Sequence, residues 1–178
     1  MTKDYGKYLG SFMMFGFGAI ALYRWHQTQL IFFLLLVLRD FAAGYYFLKR
    51  TPAEKKSGKA MSILAYVSSA MPLLYLSPST VDKALLFTSD IMAIIGFLIV
   101  ALATIELGTS IGISPAKREY VKTGIYKWLK HPMYTGYFVS EFGLVIINPI
   151  NLVLFLLSSG LYFMRASSEK RILSFQFK

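Results

Sequence analysis

Residues 121–137, VKTGIYKWLKHPMYTGY, set side chains capable of chemistry at close spacing: Gly124-x-Tyr126-x-x-x-Lys130-His131-Pro132-x-Tyr134-x-Gly136. Pro132 suits the first turn of a helix, where its missing N–H costs nothing. His131 then stands at a helix mouth, beside backbone N–H groups that favour a carboxylate or phosphate. Gly124 permits a tight turn, so loop atoms can approach a ligand closely. Tyr126 and Trp128 offer flat faces for a base, or for a cation held against a π face. Further on, Arg165 and Glu169 are four apart and share one helical face. Antiparallel fifth and sixth helices return that pair to the rim that carries His131. An anion site, an aromatic surface and a carboxylate suit a zwitterionic, nucleotide-like cofactor with a positive centre. Membrane-anchoring aromatics, a helix cap and snorkelling Lys and Arg explain the same residues without a ligand.

The elements that must position this stretch are apolar. The chain has 178 residues, 56% of them hydrophobic, with a mean hydropathy of +0.53. Soluble domains hold roughly 45–50% apolar residues, and here the excess lies in long blocks. That pattern predicts an all-α, multi-pass membrane protein forming a single domain. Six blocks are expected: Leu9 to Tyr23, Leu30 to Leu48, Ala60 to Leu76 with a kink at Pro72, Ala84 to Leu107, Pro132 to Ile147, and Ile150 to Met164. The first is short for a span of about 20 residues. Only Asn148-Pro149 separates the last two, which predicts a tight helical hairpin. Arg165 to Lys178 reads as a polar, basic tail. Residues 1–107 form a four-helix scaffold in this reading, and residues 108–178 the loop, hairpin and tail that carry the chemistry. The first block has no clear small-residue cleavage site and runs directly into another, so no cleavable signal peptide is expected.

The net charge of +10 follows topology better than it follows nucleic acid. Lys49, Arg50, Lys55, Lys56 and Lys59 follow the second block; Lys117, Arg118, Lys122, Lys127 and Lys130 follow the fourth. Arg165, Lys170, Arg171 and Lys178 follow the sixth, whereas the opposite side holds Arg24, beside the interfacial Trp25, and Lys83, next to Asp82. Both termini and the 108–130 loop are thereby expected in the cytosol. With no Cys and two His, neither thiolate chemistry nor a multi-His metal centre is expected.

Five charged residues fall inside apolar blocks. Arg39 and Asp40 lie near the middle of the second, where an ionised group costs at least ~2.5–3.5 kcal/mol. Neighbours on a helix point about 100° apart, so each is expected to find its partner on another helix or to face a polar cavity. They are either a substrate-headgroup site or a structural ion pair. Glu141, with Tyr134 and Tyr137 on a neighbouring face, is either a proton acceptor or a partner for Arg39. Asp90 and Glu106 lie toward the ends of the fourth block, where they reach water.

The pattern Gly124-x-Tyr126…Lys130-His131-Pro132-Met133-Tyr134-x-Gly136, then Asn148 and Arg165-x-x-x-Glu169, resembles the isoprenylcysteine carboxyl methyltransferase and phospholipid N-methyltransferase superfamily of integral membrane enzymes. Leu107-Gly108 and Val121-Lys122 also look like that family, and the resemblance covers about residues 106 to 173. It implies a cytosolic rim that binds S-adenosylmethionine through Val121, Gly124, Ile125, Tyr126, His131, Tyr134, Arg165 and Glu169. Implied too is an in-line methyl displacement, with an amphipathic, lipid-like acceptor entering from the bilayer. Lys130 and Glu141 are then the catalytic candidates, and Arg39, Asp40 and Tyr137 the candidates for holding the acceptor. Two residues depart from the family pattern. Lys130 stands where the family has Arg, keeping charge but losing the bidentate fork; Lys170 stands where it has a second Glu. The family also continues with a Phe-Gly and Tyr-containing tail, whereas this sequence stops at Phe177-Lys178.

Two other readings fit the residues. Sterol and steroid reductases share a related C-terminal region and use NADPH, whose 2′-phosphate the basic 117–130 loop suits. A non-catalytic relative that binds lipid or cofactor is the second; a transporter using Arg39, Asp40 and Glu141 is more distant.

Overall fold

A computed structural model describes residues 6–53, 55–114, 116–117 and 121–174. Arg118, Phe177 and Lys178, named above, lie outside the described residues. Among the described residues, six α-helices carry the fold: α1 (Gly6–Thr28), α2 (Ile31–Lys49), α3 (Lys59–Ala70), α4 (Lys83–Leu107), α5 (Pro132–Ile147) and α6 (Asn151–Ser174). Short 3-10 turns follow at Met71–Leu74, Gly108–Ser110 and Gly124–Lys127. Of these helices, Ile31–Lys49 and, with its 3-10 extension, Lys83–Ser110 are long and apolar enough to cross a membrane; Lys59–Leu74 is apolar but shorter. Large apolar side chains stand exposed around the outside, Phe12, Phe87 and Phe163 among them, as a lipid-facing surface requires.

Local signals account for several helix ends. Asp82 caps α4, its carboxylate accepting from the amides of Ala84 (2.8 Å) and Leu85 (3.3 Å). Pro132 opens α5, and Asn148 closes it. At Pro72 the α-helix gives way to the 3-10 turn rather than merely bending. Two boundaries need correction. The first block is a helix of 23 residues, because Arg24-Trp25-His26-Gln27 continue it: the Arg24 guanidinium bonds the carbonyl of Tyr75 and covers the Phe33 ring at 4.8 Å. The expected polar tail is helical as far as Ser174, held by Arg165 against Ser68 and Ile113 and by Glu169 against Tyr134 and His131.

α1 lies along α2, and α4 along α5. Phe32, Phe33, Leu36, Tyr75, Phe97 and Leu144 form the main core, joining α2, α4 and α5. α4 and α5 meet without side chains between them at Gly96 and Gly136, where a Cβ on Gly96 would lie 2.5 Å from the Gly136 carbonyl oxygen. Asn151, fully buried, ties the start of α6 to Leu76 and to the end of α5 through three hydrogen bonds of 2.8–2.9 Å.

The basic linker after α2 and the loop after α4, expected as separate polar stretches, are joined. β1 (Lys55–Lys56) pairs antiparallel with β2 (Ala116–Lys117). The Thr51 amide donates to the Thr109 carbonyl at 3.0 Å, and Ser57 and Ser114 hydroxyls lie 2.7 Å apart. This latch roofs the end of the bundle that holds the site.

Candidate functional site

A cavity of about 540 Å³ opens between the inner ends of α2, α5 and α6 and the loop after α4. Its volume falls within the roughly 300–1,000 Å³ of small-molecule sites. α5 contributes His131, Tyr134 and Tyr137, and α6 contributes Arg165, Glu169 and Lys170. Val121, Tyr126 and Lys130 come from the loop, and Arg39 reaches it from α2.

Helical spacing explains the convergence. Pro132 at the first position of α5 leaves His131 as its cap residue. Tyr134, Tyr137 and Glu141 then follow at steps of three and four, on one face. Tyr162, Arg165 and Glu169 repeat that spacing on α6. The two faces meet antiparallel: Tyr134 stacks on Tyr162 at 5.7 Å and 14°, while Phe138 meets Phe155 at 4.8 Å. The Tyr134 hydroxyl donates to Glu169 Oε1, and His131 Nδ1 lies 3.5 Å from Glu169 Oε2. Glu169 therefore holds the mouth of α5 against the end of α6. Its side chain remains 29% accessible, enough for a ligand to reach.

Arg165 braces the same wall from behind. It donates to Ser68 Oγ (2.8 Å) on α3 and to the Ile113 carbonyl (2.7 Å), and its guanidinium covers the Tyr134 ring at 5.1 Å. Of the family positions, Gly124 and Ile125 do not line the cavity; they shape the turn that delivers Tyr126. Gly124 has φ +50, and the Glu106 carboxylate occupies the space a Cβ would need. Thr123 Oγ1 donates to Glu106 Oε2 at 2.7 Å. Glu106 was expected simply to reach water; it fastens the loop instead. Burial, with the Glu169 carboxylate nearby, pushes the Tyr126 phenol above its ordinary range. Trp128, 87% exposed, offers no face to the cavity.

Removing this fastener has a measurable consequence. Glu106→Ala deletes a charge-assisted hydrogen bond worth about 1.5–3 kcal/mol. Hydrogen exchange of the 121–129 amides should accelerate about tenfold while the α5 amides stay protected; equal exchange in both proteins would dismiss the clamp.

Arg39 and Asp40 require a correction. The two neighbours do pair, with Arg39 Nη1 3.1 Å from Asp40 Oδ1. The 100° between them applies at the backbone, and the long arginine stem folds back across it. The contact lacks hydrogen-bond alignment: both Asp40 oxygens and Arg39 Nε are buried without a hydrogen-bond partner. Arg39 also lies over the Tyr137 ring at 5.1 Å. Arg39 thus faces the cavity, and Asp40 lies behind it. Glu141 lies off the cavity wall too. Tyr75 donates to its Oε2 at 2.8 Å and Tyr162 to its Oε1. Sequence reasoning missed Met14, Phe47, Ser69 and Thr104, which complete the inner wall. No motif marks them, and only the packing of α1, α2, α3 and α4 brings them in.

Residues 91–174 match the profile of the Isoprenylcysteine carboxyl methyltransferase (ICMT) family. That match covers just under half of the chain. It takes in most of α4, the loop, α5 and α6, and so most of the cavity wall. Among curated proteins, the Protein-S-isoprenylcysteine O-methyltransferase of Saccharomyces cerevisiae is 47% identical over 38 residues. That stretch is 20% of this chain and 16% of the yeast protein, so the chain matches about a sixth of that relative's length. No solved structure matches the chain. The match to that family and the two long apolar helices together mark a membrane protein.

Proposed function

We propose that the protein catalyses S-adenosylmethionine-dependent methyl transfer to a lipid-like or prenylated amphipathic acceptor. The observation that carries this reading is the meeting of His131, Tyr134 and Glu169 on the wall of a cavity that also holds Arg39. All six helices cross the membrane in this reading, with both termini and the rim cytosolic. The joined loops after α2 and α4 and the inner end of α6 lie at one end of the bundle, as an alternating topology requires.

The residues present fit the cofactor by their chemistry. S-adenosylmethionine supplies an electrophilic methyl group carried on a sulfonium. Glu169 offers the partly buried carboxylate that a cationic centre prefers. Lys130 and His131, at the mouth of α5, suit a carboxylate. Tyr126 presents its ring to a purine, while Tyr134, its ring packed against Tyr162 and Arg165, lines the wall. Arg39, deeper in the cavity, orients an acidic group of the acceptor, with Tyr137 beside it. Glu141 already takes both its hydrogen bonds from phenols, away from the cavity. An acceptor carboxylate, which loses no proton on methylation, therefore matches the site better than an amine. The surrounding walls exclude water and hold the partners in place.

Calorimetric titration of the purified protein with S-adenosylmethionine, S-adenosylhomocysteine and NADPH tests this reading. Micromolar affinity for the first two, lost in His131→Ala, is expected. Heat from NADPH alone would assign the cavity to a reductase, and silence from all three in folded protein would end the enzymatic reading.

A further inference from the structure

The mechanism leaves Glu141 without a role, although it is 1% exposed and sits in the middle of α5. Burying a carboxylate there is costly unless its oxygens are satisfied. Two tyrosines satisfy them, one per oxygen: Tyr75 from the turn after α3 and Tyr162 from α6. Both phenols are buried, at 0% and 4% exposure. Tyr162 has a second contact that matters more. Its ring is stacked on Tyr134 at 5.7 Å and lies 5.6 Å from Tyr137, two residues of the cavity wall. Tyr134 in turn donates to Glu169, which faces His131. A continuous series of contacts therefore runs from a buried carboxylate to the cavity.

We propose that Glu141 is a positioning residue: by fixing Tyr162 it sets the ring of Tyr134, and through it the Glu169 carboxylate at the cavity wall. The proposal rests on the cofactor reading above for its effect on affinity, but its structural part stands apart from that reading. A carboxylate suits the task because both oxygens accept, so both phenols can donate. An amide of the same size offers one acceptor oxygen and one NH₂ group, and one phenol loses its acceptor. A ring freed from that bond can tilt, and a stack with fixed offset and angle transmits the tilt to its neighbour.

The test uses the full chain carrying 3-fluorotyrosine at Tyr134 alone, in wild type, Glu141→Gln, Glu141→Leu and Tyr162→Phe. In Glu141→Gln and Tyr162→Phe the fluorine resonance of residue 134 should move and broaden, with melting within a few degrees of wild type. S-adenosylmethionine affinity should fall about five- to tenfold in both, and further in Glu141→Leu if that variant folds. An unchanged resonance and unchanged affinity in Glu141→Gln and Tyr162→Phe would overturn the proposal. A moved resonance in a protein whose wild type binds no S-adenosylmethionine would support the positioning and overturn the cofactor reading instead.

Discussion

Glu169→Ala is expected to weaken S-adenosylmethionine binding by about 10- to 100-fold. The figure follows from the about 1.5–3 kcal/mol carried by a hydrogen bond to a charged group, at about 1.4 kcal/mol per factor of ten. The substitution acts twice. It removes the carboxylate that faces the ligand, and it releases the Tyr134 hydroxyl and His131 Nδ1 from their shared partner. Lys170→Glu should act in the opposite direction, because Lys170 lines the same cavity and places a like charge beside a cationic ligand. Calorimetry on both variants reads the result. Affinity within twofold of wild type in Glu169→Ala would remove Glu169 from the binding site.

The second large effect concerns the fold. In Gly96→Val the first added carbon would lie 2.5 Å from the Gly136 carbonyl oxygen and 2.7 Å from both the Ser140 amide nitrogen and its Cβ. Those neighbours are backbone or bound rigidly to it, so α4 and α5 must separate. Overpacking in a close-packed interior typically costs about 1–3 kcal/mol, and a backbone collision belongs above that range. Little monodisperse protein should survive size-exclusion chromatography. Gly160→Ala supplies the contrast, because nothing lies within 4 Å of its added carbon; it should melt with wild type or slightly above, given alanine's better helix propensity. A Gly96→Val protein that behaves normally would mean that the two helices do not touch there.

Sequence alone showed the parts of the site that local signals control. The limits of α5 were legible because Pro132 and Asn148-Pro149 act on neighbouring backbone, whatever surrounds them. His131, Tyr134, Arg165 and Glu169 were legible because helical spacing fixes which side chains share a face. Contacts made by long side chains or by distant elements were not. The Arg39–Asp40 contact depends on how the arginine stem folds, and Glu106 reaches Thr123 only because α4 stops at Gly108 and the chain turns back. The inner wall from Met14, Phe47 and Ser69 depends on packing between helices that no local pattern records. The last turns of α6 were missed for the same reason. They are polar, and the contacts that hold them, from Arg165 to Ser68 and Ile113 and from Glu169 to Tyr134 and His131, reach distant parts of the chain.

The cavity draws on Met14 near one end of the sequence and Lys170 near the other. Chains are made from the N-terminus, and early segments fold while later ones are still being synthesised. α1 and α2 can therefore pair, and Arg39 and Asp40 can settle beside one another, long before α6 exists. Throughout that interval there is no wall opposite His131. A ligand held at Glu169, as proposed above, would require α6 to be in place beside the earlier helices. Such a ligand would stabilise the assembled cavity by an amount that grows with the logarithm of its concentration over its dissociation constant, and would so resist withdrawal of α6.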